Sequence, residues 1–191
     1  MKAILICGSP RKGGNTEQLL TRCMEGLKKG GIHAEILLLS EKKIRPCTAC
    51  CGCRKTMDKT CVIKSDDFNG MLQQILEADI VVAGSPVYFG SATPEIMSLL
   101  DRAGYVSKAN GGLLSRKLGG PIVVARRAGQ NFTFAQLLFW FMINDMIVPG
   151  STYWNIAFGR EAGEAQKDEE GLKTVDRFTE NLIWLAQKIH G

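Results

Sequence analysis

Five of the seven cysteines in this 191-residue chain lie close together, between Cys47 and Cys61. A disulfide framework would spread cysteines over distant loops, so this clustering indicates a metal or cluster site in a reducing compartment. Cys47, Cys50 and Cys53 follow a C-x2-C-x2-C spacing, and Cys51 is an extra thiol beside them. Zinc sites usually use two separated C-x2-C pairs, whereas three cysteines in one tight loop plus a fourth suit a [4Fe–4S] cube. We predict Cys47, Cys50, Cys53 and Cys61 as cluster ligands, with free thiols and zinc as the alternatives.

A second group of polar residues lies in the glycine-rich segment CGSPRKGGNT, which begins at Cys7. The segment follows an apolar run typical of a buried strand and precedes a helical pattern. Backbone N–H groups at a helix start favour anions, and Ser9, Arg11, Asn15 and Thr16 add polar side chains. The spacing matches neither a Rossmann dinucleotide motif nor the loop of nucleotide triphosphatases. We therefore predict a phosphate site; the alternative is a turn in which Asn15 caps the helix.

The elements that position these residues follow from the alternation of apolar runs with helical patterns. Strands are predicted at 2–7, 33–39, 79–84 and 121–125, with a fifth within 147–158. Helices are predicted at 15–29, 66–77, 94–102, 132–146 and 168–189, with a cysteine loop at 44–64 and a connecting loop at 105–120. This pattern predicts an α/β fold in one domain, residues 1–191: a flavodoxin-like three-layer sandwich whose five-stranded parallel sheet has the order 2-1-3-4-5. Cys7 and Cys23 are expected in its core.

Three loops, each at the end of a predicted strand, carry a family resemblance. GSPRKGGNT resembles the phosphate loop of NAD(P)H-dependent FMN reductases in the flavodoxin superfamily, and GSPVYFGS and ARRAGQN resemble the loops that border the flavin. The cysteine motif, between strand two and helix two, is similar to that of the iron–sulfur flavoprotein branch. The resemblance implies an FMN site that uses Ser9, Arg11, Asn15, Thr16, Pro86, Val87, Tyr88, Phe89, Gly90, Ser91 and Arg127.

The resemblance also implies a function. We expect an FMN-dependent redox protein in which hydride from NAD(P)H passes directly to the flavin, so that no catalytic acid or base is needed. A [4Fe–4S] cluster would exchange single electrons with the flavin and with a carrier such as ferredoxin. The alternatives are a cluster-free FMN or quinone reductase and, in a different class, a thiol- or zinc-based regulatory module.

The charge distribution and the hydropathy of the sequence limit the kinds of binding partner that are expected. The net charge of +5 is uneven, since residues 41–64 hold seven Lys or Arg and two acidic residues. Basic residues neither line one helix nor alternate with aromatics, which argues against nucleic-acid binding. No segment has the length and composition of a signal peptide or membrane span, so a cytoplasmic location is expected. The apolar helix at 132–146 is a candidate contact surface for a homodimer or homotetramer.

Overall fold

The computed structural model describes residues 1–190 and contains a five-stranded parallel sheet. Its strands are β1 (Lys2–Cys7), β2 (His33–Leu38), β3 (Ile80–Pro86), β4 (Leu118–Ala125) and β5 (Ile156–Phe158). They are ordered β2-β1-β3-β4-β5, and every neighbouring pair is parallel. The predicted α/β flavodoxin-like fold and its strand order are thus confirmed.

Helices cover both faces of the sheet. They are α1 (Asn15–Lys29), α2 (Gly52–Thr56), α3 (Phe68–Glu77), α4 (Pro94–Ala109), α5 (Gln130–Ile143) and α6 (Glu169–His190), with 3-10 turns at Leu39–Glu41 and Glu164–Lys167. One apolar cluster joins α3, α4 and α5 to the sheet, and a second joins α1 and α6 to the opposite face. Within β1, Ile4 and Ile6 belong to the first cluster and Leu5 and Cys7 to the second. A strand that is buried on both faces explains the continuous apolar run at the start of the chain.

Several boundaries differ from those predicted. Helix α4 extends to Ala109, where a loop was expected from residue 105, because Val106 is buried in the core and continues the helical face of Leu99 and Ala103. Strand β4 begins at Leu118 rather than 121, and β5 comprises only three residues. The cysteine loop contains the short helix α2. Cys7 and Cys23 are buried, as expected.

The parallel topology brings the loops after β1, β3, β4 and β5 to one edge of the sheet. The cysteine segment follows β2 and packs against α4. Within residues 1–190, no helix combines the length and apolarity that crossing a membrane requires.

Candidate functional site

The carboxyl edge of the sheet holds a cavity of about 350 Å³. Its wall is built from the loops after β1, β3, β4 and β5, which the strand order places side by side. The lining residues are Ser9, Arg11, Gly14, Asn15, Thr16, Pro86, Val87, Tyr88, Val124, Arg126, Gly159, Arg160, Glu161 and Ala162. The cavity therefore includes seven of the residues that were predicted to bind the cofactor.

The loop after β1 is folded tightly onto itself at the start of α1. The Arg11 N–H donates to Ser9 Oγ at 3.2 Å, and the Gly14 N–H donates to the Arg11 carbonyl at 3.2 Å. Gly13 has a φ of +64°, which glycine adopts without steric cost, and its N–H donates to Glu17 at 2.7 Å. No side chain of the described residues caps the first turn of α1. Its N–H groups therefore remain available to an anion in the cavity.

Asn15 fastens a distant loop to the start of α1. Its Nδ2 donates to the Glu161 carbonyl at 2.9 Å, while its Oδ1 accepts from Gly163 N at 2.8 Å and from Ala165 N at 3.3 Å. Both amide atoms thus hold the segment that follows β5 against the loop after β1. Asn15 lines the cavity as predicted, but its side-chain bonds are to the protein, and its contact with a cofactor stays a prediction.

The charge around the cavity is mainly positive. Three guanidinium groups line it, those of Arg11, Arg126 and Arg160, against the single carboxylate of Glu161. Glu161 accepts from Arg160 at 3.1 Å, which leaves Arg11 and Arg126 as cations in excess. Guanidinium groups and helix N–H groups together favour a phosphate-bearing ligand.

The loop after β3 forms a two-residue turn. Tyr88 and Ser91 exchange backbone hydrogen bonds of 2.8 and 3.0 Å, and between them Phe89 and Gly90 have φ values of 51° and 80°. These values are typical of a type I′ turn. Ser91 Oγ donates to Gln136 Oε1 at 3.0 Å, which anchors the turn to α5.

Of the six residues that were predicted in this loop to bind the cofactor, three line the cavity and three do not. Pro86, Val87 and Tyr88 line the cavity, whereas Phe89, Gly90 and Ser91 lie outside its wall and the Phe89 ring is fully exposed. In the loop after β4, Arg126 lines the cavity, and its predicted neighbour Arg127 is exposed and does not.

Sequence reasoning missed the wall after β5, residues 159–162. The sheet topology could have predicted this wall, because the carboxyl end of a fifth parallel strand lies at the same edge of the sheet as the carboxyl ends of the other four. Gly159 is required there, since a Cβ would lie 2.6 Å from Ala165 N and 2.8 Å from Asn15 Nδ2. This close approach brings the wall against the first loop.

The cysteine segment forms a second, separate cavity of about 30 Å³, beside α4. All four predicted ligands, Cys47, Cys50, Cys53 and Cys61, line it, and so does Cys51. Cys61 is buried and Cys50 is exposed. Within residues 1–190, no three His, Cys, Asp or Glu side chains are gathered closely enough to hold one metal ion.

The backbone of this segment is strained. Ala49, Cys51, Met57 and Lys59 have φ values between 48° and 62°, and two of these residues flank α2 at its start and end. Such conformations cost a non-glycine residue about 1 kcal/mol or more, and they concentrate at functional sites. The turns at Ala49 and Cys51 allow thiols from consecutive parts of the loop to face one cavity.

A buried ion pair joins the two ends of the cysteine segment. Asp66 accepts from Arg102 Nη1 at 2.5 Å and from the Arg45 N–H at 2.9 Å. Arg102 in turn donates to the carbonyls of Arg45 at 3.1 Å and Ile63 at 3.4 Å. Burial alone would raise the pKa of Asp66, but the Arg102 hydrogen bond and the Arg45 N–H hold it below its usual value. One buried pair thus joins the residues just before and just after the cysteines.

The thiols differ in acidity. Hydrogen bonds from the Gly52 N–H and from Thr48 lower the pKa of the exposed Cys50 thiol. Burial instead raises the pKa of Cys7 to about 11 and that of Cys23 to about 12. Within the cysteine segment, partial burial raises the pKa of Cys53, so thiolate character in the cluster-free protein is expected at Cys50. The thiolate is the form that binds metal.

Comparisons with known proteins agree with this architecture. The family described as NADPH-dependent FMN reductase matches residues 1–161. An iron–sulfur flavoprotein of Methanocaldococcus jannaschii is 35% identical over 182 residues, which cover 92% of each chain. An iron–sulfur flavoprotein of Methanosarcina thermophila is 31% identical over 192 residues, 99% of this chain and 97% of the relative.

Similarity to solved structures extends to the fold. The structure of RosB with a bound 8-demethyl-8-formylriboflavin-5′-phosphate superimposes with a TM-score of 0.80 at 19% identity, over 99% of this chain and 80% of RosB. At that identity the likeness shows the shared fold. Taken with the matched family and the relatives, it leads to one assignment: the chain belongs to the NADPH-dependent FMN reductase family, in the branch of the iron–sulfur flavoproteins.

Proposed function

We propose that this protein binds FMN in the cavity at the carboxyl edge of the sheet and transfers electrons through it. The observation that carries the proposal is the pairing of an uncapped helix start with two excess guanidinium groups in one cavity of about 350 Å³. The N–H groups of α1 and Arg11 would bind the phosphate, and Pro86, Val87 and Tyr88 would lie against the ring system. When bound, FMN supplies the acceptor for a hydride or for single electrons.

The chain's own residues bind and orient rather than transfer protons. Among the residues that line the cavity, the charged side chains are three arginines and Glu161, and Glu161 is engaged by Arg160. Arginine stays protonated and therefore does not act as a general base. This composition supports direct hydride transfer from NAD(P)H, for which no protein acid or base is required.

We further propose that Cys47, Cys50, Cys53 and Cys61 hold a [4Fe–4S] cluster that exchanges single electrons with a carrier such as ferredoxin. Four cysteines with the sequence spacing of a cluster motif line one cavity, and relatives of similar length bear the name iron–sulfur flavoprotein. The excess of basic residues between 41 and 64 would offset the negative charge of thiolates and cluster.

A homodimer or homotetramer is also part of the proposal. Four large apolar side chains of α5, those of Phe132, Phe139, Met142 and Ile143, are more than 60% exposed. Phe139, Met142 and Ile143 line one open surface depression, and an exposed apolar surface of this kind usually marks a protein contact. Light scattering should give an oligomer for the wild type and a smaller species for Ile143→Asp; a monomeric wild type would contradict the proposal.

The cofactor proposals are tested on protein purified without oxygen. We expect flavin absorption bands and about four irons and four sulfides per chain. Cys53→Ser should lose the iron and keep FMN, whereas the matched control Cys51→Ser should keep both. Loss of iron in Cys51→Ser with retention in Cys50→Ser would reassign the second ligand.

The other outcomes identify the alternatives. Flavin without iron, together with NAD(P)H oxidation, would indicate a cluster-free FMN or quinone reductase. Bound zinc without flavin would indicate a regulatory module. Either result would overturn the cluster proposal.

A further inference from the structure

Arg102 presents one hydrogen-bond donor that the protein does not use. Its side chain is 1% exposed and its guanidinium lies 3.9 Å above the Phe68 ring. The two terminal nitrogens donate to Asp66, Arg45 and Ile63, which accounts for four of the five N–H bonds. The fifth, Nε–H, is buried and has no partner among residues 1–190.

This unused donor belongs to a side chain that lines the thiol cavity. Arg102 and Cys61 both contribute to its wall. The Cys61 backbone is fixed by Asn69, which accepts from Cys61 N at 2.8 Å and donates to Cys61 O at 3.0 Å. Burial would lower the pKa of Arg102, but its contacts with Asp66 and Cys61 outweigh that effect and raise it. Arg102 on α4 and Cys61 thus line one cavity, and Asn69 of α3 holds the Cys61 backbone in place.

A buried N–H of a charged group that lacks a partner is unfavourable, so the position needs an acceptor. A thiolate that ligates a cluster carries negative charge and accepts hydrogen bonds. We propose that Arg102 Nε–H donates a hydrogen bond to the Cys61 sulfur when that sulfur ligates the cluster, and that this bond raises the cluster's reduction potential. The inference rests on the cluster assigned under the proposed function. Arg102 is in this sense a positioning residue that acts through a ligand.

The direction of the effect follows from charge. Reduction adds an electron to the cluster and its sulfurs, so a hydrogen bond to sulfur favours the reduced state. Asp66 balances the charge of the guanidinium, which leaves the Nε–H bond as the specific contribution of Arg102. Removal of the N–H bond and removal of the Asp66 charge should therefore shift the potential in opposite directions.

Arg102→Lys removes the proposed donor selectively. Lysine places a methylene where arginine has Nε and keeps a cation close to Asp66. We expect the equilibrium constant for reduction to fall about tenfold in this variant, a decrease of about 59 mV for a one-electron couple. Asp66→Asn should raise the potential, because it leaves the guanidinium charge uncompensated. Arg177→Lys, at an exposed residue outside this cavity, should leave the potential unchanged.

The measurement is a redox titration followed by electron paramagnetic resonance, with iron and sulfide assays on each protein. No iron in the wild type would contradict the cluster itself. A stoichiometric cluster in Arg102→Lys with the wild-type potential would overturn the hydrogen bond. Equal shifts in Arg102→Lys and Asp66→Asn would also overturn it, since they would indicate a structural effect of the ion pair alone.

A second measurement covers the case in which Arg102→Lys does not retain its cluster. Arginine labelled with ¹⁵N at Nε is incorporated into the Arg54→Lys protein, which removes the other arginine of the cavity wall. The reduced cluster should then show a hyperfine coupling to ¹⁵N. Absence of that coupling would overturn the proposal without any change at Arg102.

Discussion

Replacement of Asn15 by alanine should open the cofactor cavity on one side. The Asn15 amide makes three hydrogen bonds, to the Glu161 carbonyl and to the N–H groups of Gly163 and Ala165. Alanine keeps the helical backbone but removes all three bonds. The segment after β5 then loses its attachment to the loop after β1, although Asn15 belongs neither to the sheet nor to either apolar cluster.

The size of the effect follows from these bonds. Each is worth about 1 kcal/mol net, and the fully buried Ala165 is left with an unpaired N–H group, so we expect a loss of about 2–3 kcal/mol. For a chain of this length that corresponds to a decrease in Tm of about 5–10 °C. If FMN must then order the segment when it binds, the lost 2–3 kcal/mol raises the Kd for FMN about 30- to 150-fold.

Thermal unfolding of the FMN-free protein and quenching of flavin fluorescence on titration measure the two effects. Asn181→Ala is the matched control, because its amide makes one surface hydrogen bond, to the Gly150 carbonyl at 2.8 Å. We expect that control to change stability by less than about 0.5 kcal/mol and to leave the Kd unchanged. Asn15→Ala with the Tm and Kd of the wild type would refute the argument that this amide holds the cavity wall.

Three further predictions concern other parts of the chain. In cluster-free protein near neutral pH, iodoacetamide should alkylate Cys50 well before Cys7 and Cys23, as followed by mass spectrometry. The reason is that the pKa of Cys50 is lowered, whereas burial raises that of Cys7 to about 11 and that of Cys23 to about 12. Equal alkylation rates would contradict this order of acidity. Lys117→Met should cost about 2 kcal/mol in urea unfolding, since Lys117 Nζ donates to the Leu76 and Ala78 carbonyls at the end of α3. The pKa of Asp66 is lower in the folded than in the unfolded chain. The ionised Asp66 carboxylate therefore stabilises the fold fully above about pH 5, and this contribution is lost as the pH falls through the folded pKa. In urea unfolding from about pH 6 to 3, Asp66→Asn should lose less stability with acid than the wild type.

The sequence predicted the features that depend on local pattern. The alternation of five apolar runs with five helical patterns sufficed for the sheet order, because parallel strands joined by helices have few arrangements. The glycine-rich loop and the cysteine spacing likewise marked the two cavities. Local pattern was misleading at α4, where the glycines and lysines of residues 105–120 suggested a loop, whereas the burial of Val106 keeps the chain helical.

Contacts between distant residues were beyond prediction from pattern. Arg126 and Arg127 are adjacent and chemically identical, and only the path of the chain after β4 decides that Arg126 lines the cavity. Arg102 lies on the buried face of α4, yet its partner Asp66 is 36 positions away. A buried charge signals that a partner exists, but periodicity does not identify which carboxylate supplies it.

The bond between Asn15 and Glu161 also bears on the order in which the protein is made. The two residues are 146 positions apart, so a growing chain completes the loop after β1 long before the segment that holds it is synthesised. Until then the first βα unit has an anion-binding helix start but lacks a wall of the cavity. The proposed FMN binding therefore requires a chain that has been synthesised at least to Ala165. Flavin retention can then serve as a check on whether newly made protein has folded through the segment after β5.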